Sequence, residues 1–179
     1  MAKIKSSIPL AVHEANSIIA VAKFTVRPME WFPKRTRSNP QWIEFFSACK
    51  IESEVREDVM FRAQFRAKKI VTMESAEIIL PEIFNAAICV GQHRIFALDS
   101  ESTTHTNRTG KGRPLYQARL DGRTHLHTWS EEGYGYAEPI VLELDSIEGL
   151  VAEFLPRANL TLTGGFLHPL SGAQLGFDI

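Results

Sequence analysis

The sequence predicts an α+β protein. A mostly antiparallel sheet, curled into a half-barrel, follows an N-terminal helix and is covered by a second helix late in the chain. Three observations support this prediction. Several segments alternate apolar and polar residues with the two-residue period of half-buried strands. Pairs that favour tight turns, such as Asp121-Gly122, separate successive segments as in hairpins. Helical spacing of apolar residues occurs near the start of the chain and again around residue 150.

The composition is that of an ordinary globular protein. With 179 residues, 44% of them hydrophobic and 23% charged, the chain is expected to form a single domain, 1–179, around one core. Its net charge of −1 leaves no basic field over the whole molecule, so any contact with nucleic acid must be local. Cys49 and Cys89 lie in apolar segments, which indicates buried free thiols in a reducing compartment. No apolar run approaches the roughly 20 residues of a membrane helix, so we expect a cytoplasmic protein without membrane contact.

The first part of the chain predicts one helix and two long strands. Pro9 in a first turn and helix-spaced apolar residues over Ala11–Lys23 predict the helix, although the β-branched residues of its second half also allow a strand. Prolines and a basic cluster make residues 26–40 a loop. The strands are Trp42–Ile51 and Val59–Lys69. The second strand carries three cations on one face, for which a solvated sheet surface is favoured over a phosphate groove.

The middle of the chain predicts two short strands, a hairpin and a long loop. Ser75–Leu80 and Ile83–Val90 are apolar runs separated by a proline. A turn at Gly91 then leads into a strand that ends at Asp99. Residues 100–114 include no hydrophobic residue, and an irregular segment of this length inside a compact domain is usually functional or disordered. We therefore expect this loop to carry part of a functional site.

The last third of the chain predicts five strands and the covering helix. The strands are, in order, Leu115–Leu120, Thr124–Trp129, Ala137–Leu144, Asn159–Thr163 and Gln174–Phe177. Asp121-Gly122 is predicted to join the first two as a hairpin, and Glu131–Tyr136 has the composition of a glycine-aromatic turn. A cap at Asp145 or Ser146 starts the helix, and Pro156 ends it.

Histidines are concentrated between Gly91 and Pro139. Four of the six fall in this stretch, namely His93, His105, His125 and His127. His125 and His127 are two residues apart on a predicted strand, whose side chains alternate between its faces. Both imidazoles are therefore expected to lie side by side and exposed on one face, with their Cα atoms roughly 7 Å apart.

The leading hypothesis is cleavage of an RNA phosphodiester by acid–base catalysis, without metal or cofactor. One neutral and one protonated imidazole can remove the 2′-hydroxyl proton and protonate the leaving oxygen, while cations stabilise the phosphate. The candidate catalytic residues are His105, His125, His127 and Glu132, of which Glu132 would orient one imidazole. The candidate substrate-binding residues are Arg108, Lys111 and Arg113 as a phosphate clamp, Tyr116 and Tyr134 as hydrogen-bond donors or stacking platforms, and Asn107.

Two other interpretations of the paired histidines stay open. In a small metal-binding β protein, zinc or iron would be bound by His125, His127 and Glu131, whose local spacing is similar to the first motif of cupins. Arg119 and Glu138 occupy the positions at which that motif has glycines. In the other interpretation the histidines only satisfy neighbouring groups in the sheet. The residues thus leave open whether the protein is an enzyme.

The alternative function is that of a non-catalytic interaction or inhibitor protein encoded by a phage or mobile element. Such a protein would present the loop of residues 100–114, together with a corner formed by Trp129, Tyr134 and Tyr136, to a partner protein. An interaction surface is expected to be flat and apolar. A catalytic site is expected to show two imidazoles that converge with a cation in a pocket.

The order of several short motifs resembles a bacterial domain family of unknown function and similar length. The motifs are Leu98-Asp99 at a strand end, His105-Thr106-Asn107, Thr124-His125-Leu126-His127, Glu132-Gly133-Tyr134-Gly135, and Ala137 with Pro139. The match covers about Arg94 to the C-terminus, and the basic residues 108–114 depart from the family pattern. The resemblance implies a bacterial or mobile-element origin, which suits a toxin or phage-defence module. It supports the same site residues, including Asn107, and it implies no reaction.

Overall fold

The structure is a computed structural model that describes residues 10–73, 76–100, 104–121, 124–140 and 146–171. The described residues form two helices, α1 (Val12–Ala20) and α2 (Ile147–Arg157). Their strands are β1 (Lys23–Thr25), β2 (Phe32–Pro33), β3 (Trp42–Ile51), β4 (Glu54–Arg66), β5 (Lys69–Met73), β6 (Ala76–Leu80), β7 (Ile83–Val90), β8 (His93–Asp99), β9 (His105–Thr106), β10 (Arg119–Leu120), β11 (His125–Ser130), β12 (Gly133–Pro139) and β13 (Leu160–Thr161).

A nine-stranded, mostly antiparallel sheet dominates the molecule and is strongly curled into a half-barrel. Its strand order is β12-β11-β8-β7-β4-β3-β1-β13, and β2 pairs with β3 beside this path. The pairing of β1 with β13 is parallel. The pairs β9–β10 and β5–β6 form two further small sheets. With α1 before the sheet and α2 late in the chain, the predicted α+β class and its two helices are confirmed.

The core lies between one face of the sheet and α2. Successive residues of a strand point to opposite faces, so Phe61 and Phe65 of β4 are buried while Arg62 between them is exposed. The ring of Phe154 on α2 lies 5.8 Å from that of Phe61 and 5.5 Å from that of Phe96 on β8, measured between centroids. The two long strands predicted in the first half of the chain are confirmed, together with the buried face of β4. The bounds of the second differ from the prediction, because β4 begins at Glu54 and ends at Arg66, and Lys69 begins β5.

Both helices begin or end differently from the prediction. α1 ends at Ala20, because Lys23 already belongs to β1 and its buried ammonium donates hydrogen bonds to the carbonyls of Ile19 and Val21 at 2.9 and 2.8 Å. At α2 the predicted cap is correct, since a main-chain N–H donates to the hydroxyl of Ser146 at 3.1 Å. Pro156, however, lies inside the last turn of α2 rather than ending the helix.

The region before β11 differs most from the prediction. The expected strand Leu115–Leu120 is a series of turns that ends in the two-residue strand β10, and β10 pairs with β9 instead of β11. Gln117, in the middle of the expected strand, has a positive φ angle of 61°, which is incompatible with an extended strand. β11 pairs instead with β8 and β12. The predicted hairpin between residues 115 and 129 is therefore wrong.

The glycine-aromatic segment is mostly strand. Only residues 131 and 132 form the turn, and β12 begins at Gly133. The expected strand Ala137–Leu144 contributes its first three residues to the end of β12. Predicted features at Pro9, Ser75, Gly122, residues 141–144 and Gln174–Phe177 lie outside the described residues. Within the described ranges, neither helix has the length and apolar character needed to cross a bilayer.

Candidate functional site

Strand pairing brings three histidines into contact. His125 and His127 lie on β11, which runs between β8 and β12. His105 lies on β9, and its ring centroid is 5.9 Å from that of His125 and 5.1 Å from that of His127. The centroids of His125 and His127 are 6.2 Å apart. We call these three residues the histidine cluster, and it unites all three histidines that were predicted to be catalytic.

The histidine cluster is more buried than expected. His125 and His127 are only 3% and 5% exposed, and His105 is half-buried. The expectation of an exposed pair was wrong because the segment that follows β9 folds onto β11 and β12 and is held there by hydrogen bonds from Asn107 and Arg113. His105 is therefore the member through which solvent reaches the cluster.

Hydrogen bonds fix the proton on one ring nitrogen of His105. Its Nε2 lies 2.8 Å from the carbonyl oxygen of Gly135 and 3.1 Å from Oδ1 of Asn107. A carbonyl oxygen only accepts hydrogen bonds, so Nε2 carries the proton and donates it. The lone pair of a neutral His105 therefore resides on Nδ1.

His127 has a comparable arrangement. Its Nε2 lies 3.4 Å from Oδ2 of Asp99, and the other oxygen of this carboxylate accepts a hydrogen bond from Arg94 at 2.6 Å. Because the carboxylate favours a proton on Nε2, the lone pair of neutral His127 lies on Nδ1. Among the described residues, His127 Nδ1 and His125 Nε2 are buried without a hydrogen-bond partner. Such atoms are rare in native proteins and call for a ligand, a proton or a bound solvent molecule.

Burial keeps the imidazoles of His125 and His127 neutral. It lowers the pKa of His127 to about 4, although Asp99 acts in the opposite direction. The pKa of His125 is also lowered, first by burial and then by the neighbouring His105. At neutral pH both side chains are thus free bases with available lone pairs. The same low pKa makes His127 unsuitable as a proton donor at neutral pH, because so little of it is protonated.

An aromatic ring and a cation enclose the buried side of the cluster. The ring of Tyr134 stacks on His127, with centroids 5.3 Å apart and planes inclined by 24°. The guanidinium carbon of Arg94 lies 4.9 Å from the centroid of the same tyrosine. Burial raises the pKa of Tyr134, so its hydroxyl stays protonated. Tyr134, which was predicted to bind substrate, therefore packs against His127 and holds the orientation of its ring.

Asn107 is a structural residue in this arrangement. It is fully buried, and its amide nitrogen donates to the carbonyls of Leu115 and Ala137 at 3.0 and 2.8 Å. Its Oδ1 accepts from the main-chain N–H of Ala137 at 2.7 Å. Asn107 was predicted to contact substrate, but all of its polar atoms are occupied by the protein. Its effect on the site is to position His105, two residues away.

Glu132 holds the loop rather than an imidazole. Its carboxylate accepts hydrogen bonds from the main-chain N–H groups of Gly110 and Lys111 at 2.9 and 3.3 Å. These bonds lower the pKa of Glu132, so it remains ionised. The carboxylate that faces the cluster is Asp99, on the neighbouring strand. The orienting role expected of Glu132 is therefore filled by Asp99.

Of the three cations that were predicted to bind phosphate, one is hydrogen-bonded within the protein and two are exposed. Arg113 donates to the hydroxyl of Thr128 at 2.9 Å and to the carbonyl of Trp129 at 2.8 Å, and it lies over a buried tyrosine ring. Arg108 and Lys111 are exposed on the same segment. Tyr116, the other predicted stacking residue, is half-buried. Only the two exposed cations are thus available to bind a phosphate.

The three side chains expected to bind a metal from the cupin-like spacing are arranged differently from that expectation. Glu131 is exposed and lines a groove with residues 10–13 and Asn16, whereas His125 and His127 are buried in the cluster. Among the described residues, no three His, Cys, Asp or Glu side chains already surround one point as in a filled metal site. His105 is the third nitrogen donor next to the pair, and it was not part of the expected ligand set.

Asp99 is the site residue whose role the sequence did not predict. It was noted as the end of a strand, and the register of β8 with β11 places it directly opposite His125 and within reach of His127. The sequence does show a carboxylate at the end of a strand, which could have indicated a site residue. It does not show which strand pairs with β8, because local pattern does not predict the pairing of two strands separated by a long loop.

Together, the fold and this site define an α+β half-barrel protein with a buried three-histidine cluster. Comparison with protein-family models, with curated proteins and with solved structures finds no match. The resemblance to a bacterial domain family consequently stays a prediction.

Proposed function

We propose that the protein cleaves phosphodiester bonds in RNA and that the histidine cluster is its reactive centre. The observation that carries this proposal is the contact of one half-exposed imidazole, His105, with two buried imidazoles that each have an unpartnered nitrogen. A structural role for the histidines would be expected to satisfy these nitrogens, since buried polar atoms are normally hydrogen-bonded. The unpartnered atoms therefore favour function over structure.

The chemistry of phosphodiester cleavage needs an activated oxygen nucleophile and positive charge near the phosphate. A neutral imidazole activates such a nucleophile either by removing its proton or by holding a metal ion that lowers its pKa. The exposed side chains of Arg108 and Lys111 lie on the segment that bears His105 and can attract the polyanion. In this proposal the substrate approaches along that segment and contacts His105 first.

The roles within the cluster differ from those expected of the sequence. His127, with a pKa of about 4, is a buried base that is positioned by Asp99 and Tyr134 and is not the general acid. The ring of His125 lies 5.9 Å from that of His105, and its Nε2 has no hydrogen-bond partner. His105 and His125 are therefore the two residues closest to the reacting phosphate in this proposal.

Cleavage of labelled single-stranded RNA by the purified protein tests the proposal. We expect His125→Gln to reduce the rate by at least about 100-fold, as is common for loss of a residue that takes part in proton transfer. The matched control is His13→Gln, because His13 is exposed on α1. Absence of any RNA cleavage by the wild type, or an unchanged rate in a folded His125→Gln protein, would refute the proposal.

A second pair of variants examines the substrate rather than the reaction. Arg108→Ala and Lys111→Ala change exposed side chains, so the fold should be unaffected. We expect each to raise KM for RNA and to reduce its salt dependence, with a smaller effect on kcat. Equal KM values for the variants and the wild type would exclude this segment as the phosphate-binding surface.

We also propose that the protein acts in a reducing cytoplasm, as part of a bacterial toxin, defence or mobile-element module. Cys49 is a free, fully buried thiol whose pKa burial raises to about 11, so it is unreactive and typical of a protein that needs no disulfide. Expression in bacteria tests the toxin role. We expect growth arrest with the wild type and normal growth with His125→Gln, and equal growth would argue against it.

The hairpin of β5 and β6 supports a second candidate, the protein-interaction function. Its exposed apolar side chains include Ile70, Met73, Ile78 and Ile79, which are 44–57% exposed. Exposed apolar clusters of this kind often mark contact surfaces. The corner of aromatic residues that was expected to contact a partner protein cannot do so, because Trp129 and Tyr136 are buried. If Ile79→Ser removes a co-purifying partner while RNA cleavage is unchanged, contact through this hairpin is favoured.

A further inference from the structure

The rings of three histidines meet in one small region of the protein, and two of their buried nitrogens have no hydrogen-bond partner. We propose that the histidine cluster binds one transition-metal ion, with zinc or iron(II) as the preferred class, through His105 Nδ1, His125 Nε2 and His127 Nδ1. The inference deepens the proposed function, because it names the cofactor of the same site. Metal binding can nevertheless be measured without any reference to RNA cleavage.

The hydrogen bonds of the outer nitrogens are those of metal-binding histidines. Such residues usually donate their other ring N–H to a carboxylate or to a backbone carbonyl, which fixes the tautomer and raises the basicity of the ligand nitrogen. His105 donates from Nε2 to the carbonyl of Gly135 at 2.8 Å. His127 has its Nε2 3.4 Å from the carboxylate of Asp99. Both arrangements leave Nδ1 free for a ligand.

The dimensions of the cluster also suit a single ion. A point equidistant from the three ring centroids lies about 3.3 Å from each, given separations of 5.1, 5.9 and 6.2 Å. A zinc ion bonded at about 2.0–2.1 Å to an imidazole nitrogen lies about 3.2 Å from the centroid of that ring. The spacing of the three rings therefore matches that of three imidazoles around one ion.

Small rotations of the rings complete the site. The donor atoms do not yet surround one point. The torsion that turns an imidazole about its Cβ–Cγ bond has a broad energy profile, so a rotation small enough to keep the bond from His105 to the carbonyl of Gly135 costs little. The half-exposed side of His105 would leave the remaining coordination position open to solvent, which is the arrangement of catalytic rather than structural zinc sites.

The two arginines near the cluster are engaged by other groups of the protein. Arg113 is committed to Thr128 and Trp129, and Arg94 is committed to Asp99, so neither cation can stabilise charge that develops at the cluster. Neutral imidazoles with free lone pairs are the protonation state that metals require. A bound divalent ion would supply the missing positive charge and a water of lowered pKa.

Metal titration of the intact protein tests the proposal. The protein is stripped with a chelator and titrated with Zn²⁺ by calorimetry, elemental analysis reports the stoichiometry, and Co²⁺ reports the ligand field by its visible spectrum. We expect one ion per chain, with a dissociation constant that rises at least about 100-fold in His105→Gln, His125→Gln and His127→Gln. Asp99→Asn should weaken binding about 10- to 100-fold, since it removes an outer partner and no ligand.

Two exposed residues provide the controls. His13→Gln and Glu131→Gln should bind the ion as the wild type does, because neither side chain is near the cluster. Failure of the stripped wild type to take up Zn²⁺ or Co²⁺, or uptake that persists unchanged in folded His105→Gln and His127→Gln, would overturn the proposal. Circular dichroism of each variant shows that it is folded.

The outcomes for metal and for RNA are separable. One bound ion that depends on the cluster, without cleavage of any RNA, supports the metal site and refutes the proposed function. Cleavage by a chelated protein that takes up no ion refutes the metal site and leaves the proposed function standing. Cleavage that is lost on chelation and restored by stoichiometric Zn²⁺ or Fe²⁺ supports both.

Discussion

Acidification should destabilise the metal-free protein through His127. Its pKa in the folded protein is about 4, whereas an unfolded histidine has a pKa of about 6.5. Between these values the unfolded chain binds more protons than the folded protein does. The free energy of unfolding must therefore fall as the pH falls through this range, and it is constant above it.

The size of the effect follows from the two pKa values. A difference of about 2.5 in pKa corresponds to roughly 3 kcal/mol, and most of this is lost when the pH is lowered from 7 to 4. Since small domains have stabilities of about 5–15 kcal/mol, the loss is a large fraction of the total. Little screening is expected, because the side chain is 5% exposed.

Urea denaturation of chelated protein at several pH values between 7 and 4 measures this effect. The comparison is between the wild type and His127→Gln, because carboxylates titrate in both proteins and cancel in the difference. We expect the variant to lose about 3 kcal/mol less than the wild type over this range. His13→Gln serves as the control and should follow the wild type. Parallel pH profiles for the wild type and His127→Gln would show that His127 is not held neutral by burial.

The same assay tests two structural features of the loop. Gly110→Ala should lower the free energy of unfolding by at least about 2 kcal/mol more than Gly112→Ala does. An added Cβ at Gly110 meets a ring atom of Tyr136 at 2.3 Å, while Gly112, with a similar φ angle, has open space. Equal losses of stability in the two variants would contradict this clash. Asn107→Ala should cost about 3 kcal/mol or more, since it leaves both buried main-chain groups of Ala137 unpaired. The exposed Asn16→Ala should change stability by less than about 0.5 kcal/mol, and a similar small effect of Asn107→Ala would refute its structural role.

Local periodicity was sufficient to predict most of the sheet. The alternation around Phe61 and Phe65 identified β4, because one face of that strand must be buried whatever its neighbours are. The common face of His125 and His127 followed from the same two-residue period. The half-barrel prediction succeeded because successive strands in this chain pair mostly as antiparallel neighbours.

The geometry of the site depended on contacts that local pattern does not encode. The burial of His125 depends on the fold of residues 104–118, and that fold depends on the side chain of Asn107 bonding to a strand thirty residues away. The partnership of Asp99 with His127 depends on the register between β8 and β11. Glu132 was assigned to an imidazole because acids near histidines often orient them, whereas here it binds main-chain N–H groups.

The bonds that Asn107 makes to β12 also bear on the solubility of the protein. β12 is at one end of the strand order, so its outer N–H and C=O groups would ordinarily be free to pair with a strand of another molecule. The amide of Asn107 occupies both groups of Ala137, as a residue of an adjacent strand would, and His105 occupies the carbonyl of Gly135. The side chains of Asn107 and His105, which shape the histidine cluster, thus occupy main-chain groups of the edge strand β12. These groups are no longer available to pair with a strand of another molecule, which disfavours aggregation.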